Sequence, residues 1–296
     1  MECLNPIRMV NNDRTLQILH GLESELKNKV ANFVPCNKCV NCNINRQNEW
    51  VFRLEQEAKV QPKSYFITLT YDEHNVPIGT CEDTGHIHPT LNYEHVQLYM
   101  KRLRYKTKGK IKHYSVGEYG EKTKRPHYHQ ILFGADAKRV EAAWTYGFSQ
   151  VRPITPARIR YVTKYMGKRI SNTPEGMTKP MNVMSRGLGL SYLTTQILSH
   201  HQKHQIDYLT LDDGIKMKMP KYYLNKIFTE KERYALTLKR KADSDLKLKR
   251  VRAMLGGAGN WRWDAYITER TNQAFHKNQY NERKKQKQSI SNVTIN

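Results

Sequence analysis

A chain of 296 residues with 38% hydrophobic and 10% aromatic residues can bury a core, which excludes wholesale disorder. Fifty Lys and Arg against 27 Asp and Glu leave a net charge of +23, which calls for a polyanionic partner, nucleic acid first and an anionic membrane surface second. No run approaches the roughly 18 apolar residues of a membrane span, residues 1–10 lack a signal-peptide core, and five Cys do not make a disulfide framework, so a reducing cytoplasm is expected.

Residues 1–35 carry no clear pattern. Ile44, Val51, Leu54 and Ala58 recur at helical spacing, which predicts a helix over 43–60, ended by Gln61-Pro62-Lys63. Residues 65–71, Tyr-Phe-Ile-Thr-Leu-Thr-Tyr, are rich in aromatic and β-branched types and predict a central strand. Pro77, Gly79, Gly85 and Pro89 make 72–90 a long loop. Val96, Tyr99, Met100 and Leu103 give 92–104 one apolar helical face. Strands follow at 111–118 and 127–133, joined by a polar turn at 120–126. A short helix over 137–144 stops before Gly147, and 148–151 reads as an edge strand. Thr155-Pro156 is a strong helix start, a capping hydroxyl followed by Pro at the first helical position, and that helix reaches about Met166.

The order over 64–167 is therefore β-α-β-β-α-β-α. It predicts an α+β fold, a ferredoxin-like antiparallel sheet with helices on one side. Beyond Lys168 the chain becomes strongly basic. A hairpin is expected over 206–219, turning at Asp213-Gly214, with helices over 221–255 and 262–286. Composition divides the chain into an N-terminal extension (1–60), a core (61–175) and a basic, mainly helical C-terminal region (176–296).

Two His pairs are separated by one residue. His86-Ile87-His88 lies in the Gly/Pro loop, where geometry is not fixed, and is expected to be silent. His127-Tyr128-His129 opens a strand, where residues i and i+2 share a face, so two imidazoles there can hold one metal ion. Glu118 ends the neighbouring strand and is the expected third ligand, with Glu121 in the turn as the fallback. Two His and one carboxylate leave coordination positions open, as a catalytic metal requires.

On the 155–166 helix, Tyr161 and Tyr165 lie about 40° apart at about 100° per residue. The apolar stripe of Ile159, Val162 and Met166 is centred about 90–130° away, so neither tyrosine is expected in the core. Lys164 and Lys168 each follow a tyrosine by three residues. A phenol is a poor nucleophile at its usual pKa near 10; an adjacent ammonium favours its phenolate, and a polarised phosphate eases attack. The competing reading is a helix lying on DNA, with Lys on phosphates and Tyr stacking on bases.

The strand 66–71, the His-Tyr-His strand and the Tyr-x-x-x-Tyr helix, in that order, resemble the HUH endonucleases that initiate rolling-circle replication. The chain is most similar to the replication initiators of microviruses, the small single-stranded DNA phages, especially gokushoviruses. The supporting stretches are Val34-Pro35-Cys36-Asn37-Lys38-Cys39, Val116-Gly117-Glu118-Tyr119-Gly120-Glu121-Lys122-Thr123, Arg125-Pro126-His127-Tyr128-His129, Tyr161-Val162-Thr163-Lys164-Tyr165, Ser185-Arg186-Gly187 and Pro220-Lys221-Tyr222-Tyr223. The resemblance implies an HUH endonuclease fold with His127, His129 and Glu118 holding the metal and Tyr161 and Tyr165 as paired nucleophiles, one nicking the strand and keeping the 5′ phosphate. Tyr165, nearer the helix end, is expected to act first. It implies Mg²⁺ or Mn²⁺, whereas imidazole ligands alone equally admit Zn²⁺ or Ni²⁺. Single-stranded origin DNA is the implied substrate, and Trp261, Trp263 and Tyr266 are candidates for base stacking. No Gly-x₄-Gly-Lys-Ser/Thr loop is present, so a host helicase and DNA polymerase are expected as partners, in the host cytoplasm and away from membranes. An HUH transposase or relaxase, or a non-enzymatic basic nucleic-acid-binding protein, are the alternatives.

Cys36-x₂-Cys39-x₂-Cys42 stands apart. Its spacing suits thiolate ligation of Zn²⁺, with Cys3 or a His as fourth ligand; the alternative is three reduced thiols at a helix start.

Overall fold

A computed structural model describes residues 7–12, 15–19, 31–107, 109–120, 123–164, 173, 175–211, 214–256, 261–262 and 265. The chain folds as two compact units, residues 46–194 and, separately, residues 1–45 with 195–296. Composition draws its lines elsewhere, at 60/61 and 175/176.

In the first part of the chain, β1 (Ile7–Asn12), β2 (Thr15–Leu19) and β3 (Ala31–Val34) form a three-stranded antiparallel sheet in the order β2-β1-β3. Helix α1 (Val40–Val60) follows, beginning three residues before its expected start.

Residues 46–194 centre on an antiparallel sheet. Its strands are β4 (Ser64–Tyr71), β7 (Lys112–Tyr119), β8 (Pro126–Phe133), β9 (Gly147–Pro153) and β10 (Asn182–Met184), in the order β10-β7-β8-β4-β9. Helix α2 (Tyr93–Lys106) joins β4 to β7, and α3 (Ala137–Ala143) joins β8 to β9. The unit β4-α2-β7-β8-α3-β9 thus has the ferredoxin-like strand order. β9 is an edge strand, as expected. β4 is interior, but β8 is the middle strand of the five, and β10 has no counterpart among the expected strands because three residues carry no periodic signal.

The expectation of helices on one side is corrected. α2 and α3 cover one face, over Ile67, Leu69, Tyr71, Tyr128 and Leu132. The other face carries Phe66, Tyr114, Val116, Ile131 and Phe133, and these are covered by Val51 and Leu54 of α1 and Ile159 and Val162 of α4 (Pro156–Lys164). β8 is buried on both faces, so it has no polar alternation to betray a solvent side. The 72–90 loop also contains a small hairpin, β5 (Ile78–Thr80) with β6 (Ile87–Pro89).

Polar pins hold this sandwich. Glu57 of α1 is 1% exposed and receives both Lys112 Nζ, 2.8 Å from each carboxylate oxygen, and the Gly189 amide at 2.9 Å. Gln130 is fully buried; its Nε2 donates to Ser115 Oγ at 2.7 Å and its Oε1 accepts from Tyr99 at 3.3 Å. Gly117 has no room for a side chain, because a Cβ would lie 2.6 Å from Tyr93 Oη and 2.9 Å from Leu91.

Residues 195–256 form α5 (Thr195–His204), the hairpin β11 (Tyr208–Thr210) with β12 (Lys216–Lys218), α6 (Lys221–Ile227) and α7 (Glu230–Met254). The expected hairpin is present and Gly214 takes a left-handed φ of 79°; Asp213 lies outside the described residues. The single helix expected over 221–255 is corrected to two. Thr229 breaks it with a capping box: Glu232 N donates to Thr229 Oγ1 at 3.4 Å and Thr229 N donates to Glu232 Oε2 at 2.7 Å. Trp261, Arg262 and Ala265 are helical, and the rest of the helix expected over 262–286 lies outside the described residues. Among the described residues no helix is long and apolar enough to cross a membrane.

The pin with most leverage is Tyr128. Its hydroxyl accepts from Asn92 N at 2.7 Å and donates to Asn92 O at 2.8 Å, tying β8 to the residue that caps α2. Burial raises this phenol far above its usual pKa, so it stays a neutral donor. Tyr128→Phe keeps the ring and strands both Asn92 groups, and is expected to lower unfolding free energy by about 1–3 kcal/mol in a denaturant titration. Tyr105→Phe, at a residue 92% exposed, is the control and should change it by less than about 0.5 kcal/mol.

Candidate active site

Glu118 and His127 are register partners across β7 and β8, and His129 pairs with Val116 on one side and Thr68 on the other. The pleat puts Glu118, His127 and His129 on one face. His127 Nε2 lies 3.6 Å and His129 Nε2 3.4 Å from Glu118 Oε2. One ligating atom from each of the three falls within 4.8 Å of the others. This is the face covered by α1 and α4, but the cover ends at Phe66 and Ile131. Thr68, Thr70, His127 and Glu118 are only half-buried, so the cluster sits at the mouth of a closed apolar face.

The two imidazoles are oriented from behind. The Arg125 carbonyl lies 3.2 Å from His127 Nδ1; since a carbonyl only accepts, that nitrogen carries the proton in this network. Thr68 Oγ1 is 3.2 Å from His129 Nδ1. Both Nε2 atoms are thereby left facing the carboxylate. Burial pushes the His129 pKa below its usual value, aided by His127 and Lys164 and opposed by Glu118. Its neutral form carries an Nε2 lone pair toward Glu118. Two acceptors held this close are repulsive unless a cation lies between them, so this donor set fits a divalent ion. Second partners on the far ring nitrogens are what metal-ligating histidines use to fix tautomer and orientation.

Helix α4 brings the next residues. Arg158 N donates to Thr155 Oγ1 at 3.2 Å, the cap that the Thr-Pro start implied. Gln47 Nε2 donates to Arg160 O at 3.0 Å and ties α4 to α1. Ile159 and Val162 point into the core, so Tyr161 is left at the surface, 37% exposed. Its Oη lies 3.4 Å from His129 Nε2, and its ring packs edge-on against His129 and Phe66, with centroids 5.1 and 6.2 Å apart. The Lys164 ammonium lies over the same ring, 4.4 Å from its centroid.

The structure thus brings together five of the sequence candidates: Glu118, His127, His129, Tyr161 and Lys164. Tyr165, Lys168 and the fallback Glu121 lie outside the described residues, as do Met166, Trp263 and Tyr266. Among the described residues His86 and His88 join no cluster of three ligating side chains, in keeping with their expected silence. Residue spacing did not single out Thr68 or Phe66, which stacks on His129 at 5.5 Å. The available signal was parity: Phe66, Thr68 and Thr70 share one face of β4, and a face with two threonines is not a core face.

A family model for replication-associated proteins of the ORF2 type matches residues 64–170, from the first strand of this sheet through α4. The chain is 29% identical over 265 residues to the replication-associated protein ORF2 of Spiroplasma virus 4, covering 75% of this chain and 79% of the relative. It is 26% identical over 254 residues to the replication-associated protein VP4 of Bdellovibrio phage phiMH2K, covering 75% and 76%. It is 25% identical over 232 residues to the replication-associated protein ORF4 of Chlamydia phage 1, covering 67% and 55%. No solved structure matches. The matched segment is the one that carries Glu118, His127, His129 and Tyr161, and the chain is a relative of the phage replication-associated proteins.

Proposed function

We propose that this chain initiates rolling-circle replication of a single-stranded DNA phage genome, in the host cytoplasm, by nicking and rejoining origin DNA through a tyrosine. The observation that carries the reading is the approach of Tyr161 Oη to within 3.4 Å of His129 Nε2, beside Glu118 and His127. A hydroxyl at a cluster of metal-ligating atoms has no packing purpose there, and the names of the relatives supply the biological setting.

Glu118, His127 and His129 would hold a divalent cation, Mg²⁺ or Mn²⁺ by the family resemblance. Such an ion, when bound, neutralises charge growing on the phosphoryl oxygens. The protein's own residues do the rest. Thr68 and the Arg125 carbonyl keep both imidazoles aimed; Phe66 and α4 keep water from the inner side of the cluster. Tyr161 Oη attacks phosphorus, loses its proton, and forms the Oη–P bond as the bond from phosphorus to the 3′ oxygen breaks. That oxygen leaves as a 3′ hydroxyl, ready for a host polymerase. The phosphotyrosine preserves the phosphodiester energy, so the reverse step rejoins the strand without ATP. Tyr161 is the hydroxyl this geometry favours for the first cut, and Tyr165, with Lys168, remains the proposed partner for the second. Basic α7 and the exposed Trp261 supply a surface for the DNA strand.

His129→Ala or His127→Ala should remove nicking of a labelled origin oligonucleotide in Mn²⁺ while leaving most DNA binding. The paired change His86→Ala and His88→Ala should nick at the parental rate. A denaturing gel reads all of these, and parental activity in either of the first two would place the metal elsewhere.

Tyr161→Phe and Tyr165→Phe should each leave some single-round adduct, because a second hydroxyl remains on the same helix side. The double variant should form none, and neither single variant should complete a circle. Mass spectrometry of the DNA-linked peptide identifies the residue; an adduct in the double variant would defeat the assignment.

Binding to single-stranded DNA should weaken steeply with salt. If about six phosphates are neutralised, the log–log slope should be about −4. A flat salt series measured by fluorescence anisotropy would contradict an electrostatic footprint.

A further inference from the structure

We propose that Cys36, Cys39 and Cys42 form a thiolate site for Zn²⁺ that locks the first turn of α1, separate from the Glu118, His127 and His129 cluster. The three Sγ atoms lie within 4.8 Å of one another, and Cys36 Sγ is 4.0 Å from Cys42 Sγ. Tetrahedral zinc with Zn–S bonds near 2.3 Å puts its sulfurs about 3.8 Å apart, so the thiols already stand at nearly that spacing. All three are reduced.

Local backbone geometry builds the site. Asn37 takes a left-handed φ of 57°, which turns the chain between the first two cysteines. Lys38 N and Cys39 N both donate to Cys36 Sγ, at 3.4 and 3.3 Å. A neutral thiol is a weak acceptor, and two amides converging on one sulfur suit a thiolate better. Cys39 O accepts from Asn43 N at 3.0 Å, so Cys39 stands at the start of α1 and Cys42 in its first turn. The positive end of the helix favours anionic sulfur there. Cys42 is 6% exposed, while Cys36 and Cys39 remain reachable from solvent. Soft thiolates select zinc over Mg²⁺ or Mn²⁺, whereas the histidine–carboxylate cluster suits the harder ions, so the two clusters sort metals by ligand chemistry. A fourth ligand comes from solvent or from Cys3, which lies outside the described residues.

The full-length protein, purified without chelator and dialysed, should carry one zinc per chain by plasma mass spectrometry. His127→Ala with His129→Ala should keep that zinc, and Cys39→Ser should lose it. Cobalt(II) taken up by the protein should show the near-ultraviolet charge-transfer band of thiolate ligation. In the parent protein, alkylation of Cys36, Cys39 and Cys42, read by mass spectrometry, should be slow with zinc and fast after chelation; this holds even if Cys39→Ser fails to fold. Zinc-free protein that takes up none on titration, zinc retained in Cys39→Ser, or alkylation indifferent to zinc would each overturn the proposal. Because these readouts do not involve nicking, they stand or fall independently of the proposed replication chemistry.

Discussion

Glu118 faces His127 across β7 and β8, and His129 faces Thr68 across β8 and β4. On that antiparallel register the site depends. A slip of one residue would turn both imidazoles toward α2 and bring Tyr128 to the mouth in their place. The register is held from the opposite face, where Tyr128 clamps Asn92 and Gln130 bonds Ser115 and Tyr99. These groups are buried and fully committed, so a slip would strand several donors and acceptors at once. Tyr128, the residue between the two histidines, is therefore a structural partner of the site that it does not touch.

The second constraint is where the apolar cover stops. Phe66, Ile131, Phe133, Ile159 and Val162 close the site face over most of its length, and burying each such side chain stabilises by roughly 1.5–3 kcal/mol. That closure sets the pose of α4, and Tyr161 goes wherever Ile159 and Val162 leave it. The same closure takes His129 out of water and lowers its pKa, which leaves the lone pair a metal needs. Packing and ligand chemistry are thus one event here: the phenylalanine that stacks on His129 also carries the edge of the Tyr161 ring.

Much of this was legible from residue patterns. The β-α-β-β-α-β order, the Thr155 cap, the Gly214 turn and the shared face of His127 and His129 follow from periods of 2 and 3.6 residues and from turn chemistry. The break at Thr229 had a signal too, the Thr-x-x-Glu capping box, but the basic run on either side of it is helical in pattern and masked the boundary. β10 and the hairpin of β5 with β6 had none, since three residues are too few for a period.

The sequence by itself determined which residues share a face, because strand and helix periods are local properties of the backbone. It determined the chemical character of the clusters: hard nitrogen and oxygen ligands in one, three thiols in the other. Only the tertiary structure decided that the second sheet face is also covered, that Glu118 lies across from His127, and that Tyr161 meets His129. Those are relations between segments that local spacing does not connect. They are set by which apolar surfaces close on one another, and no local period carries that information.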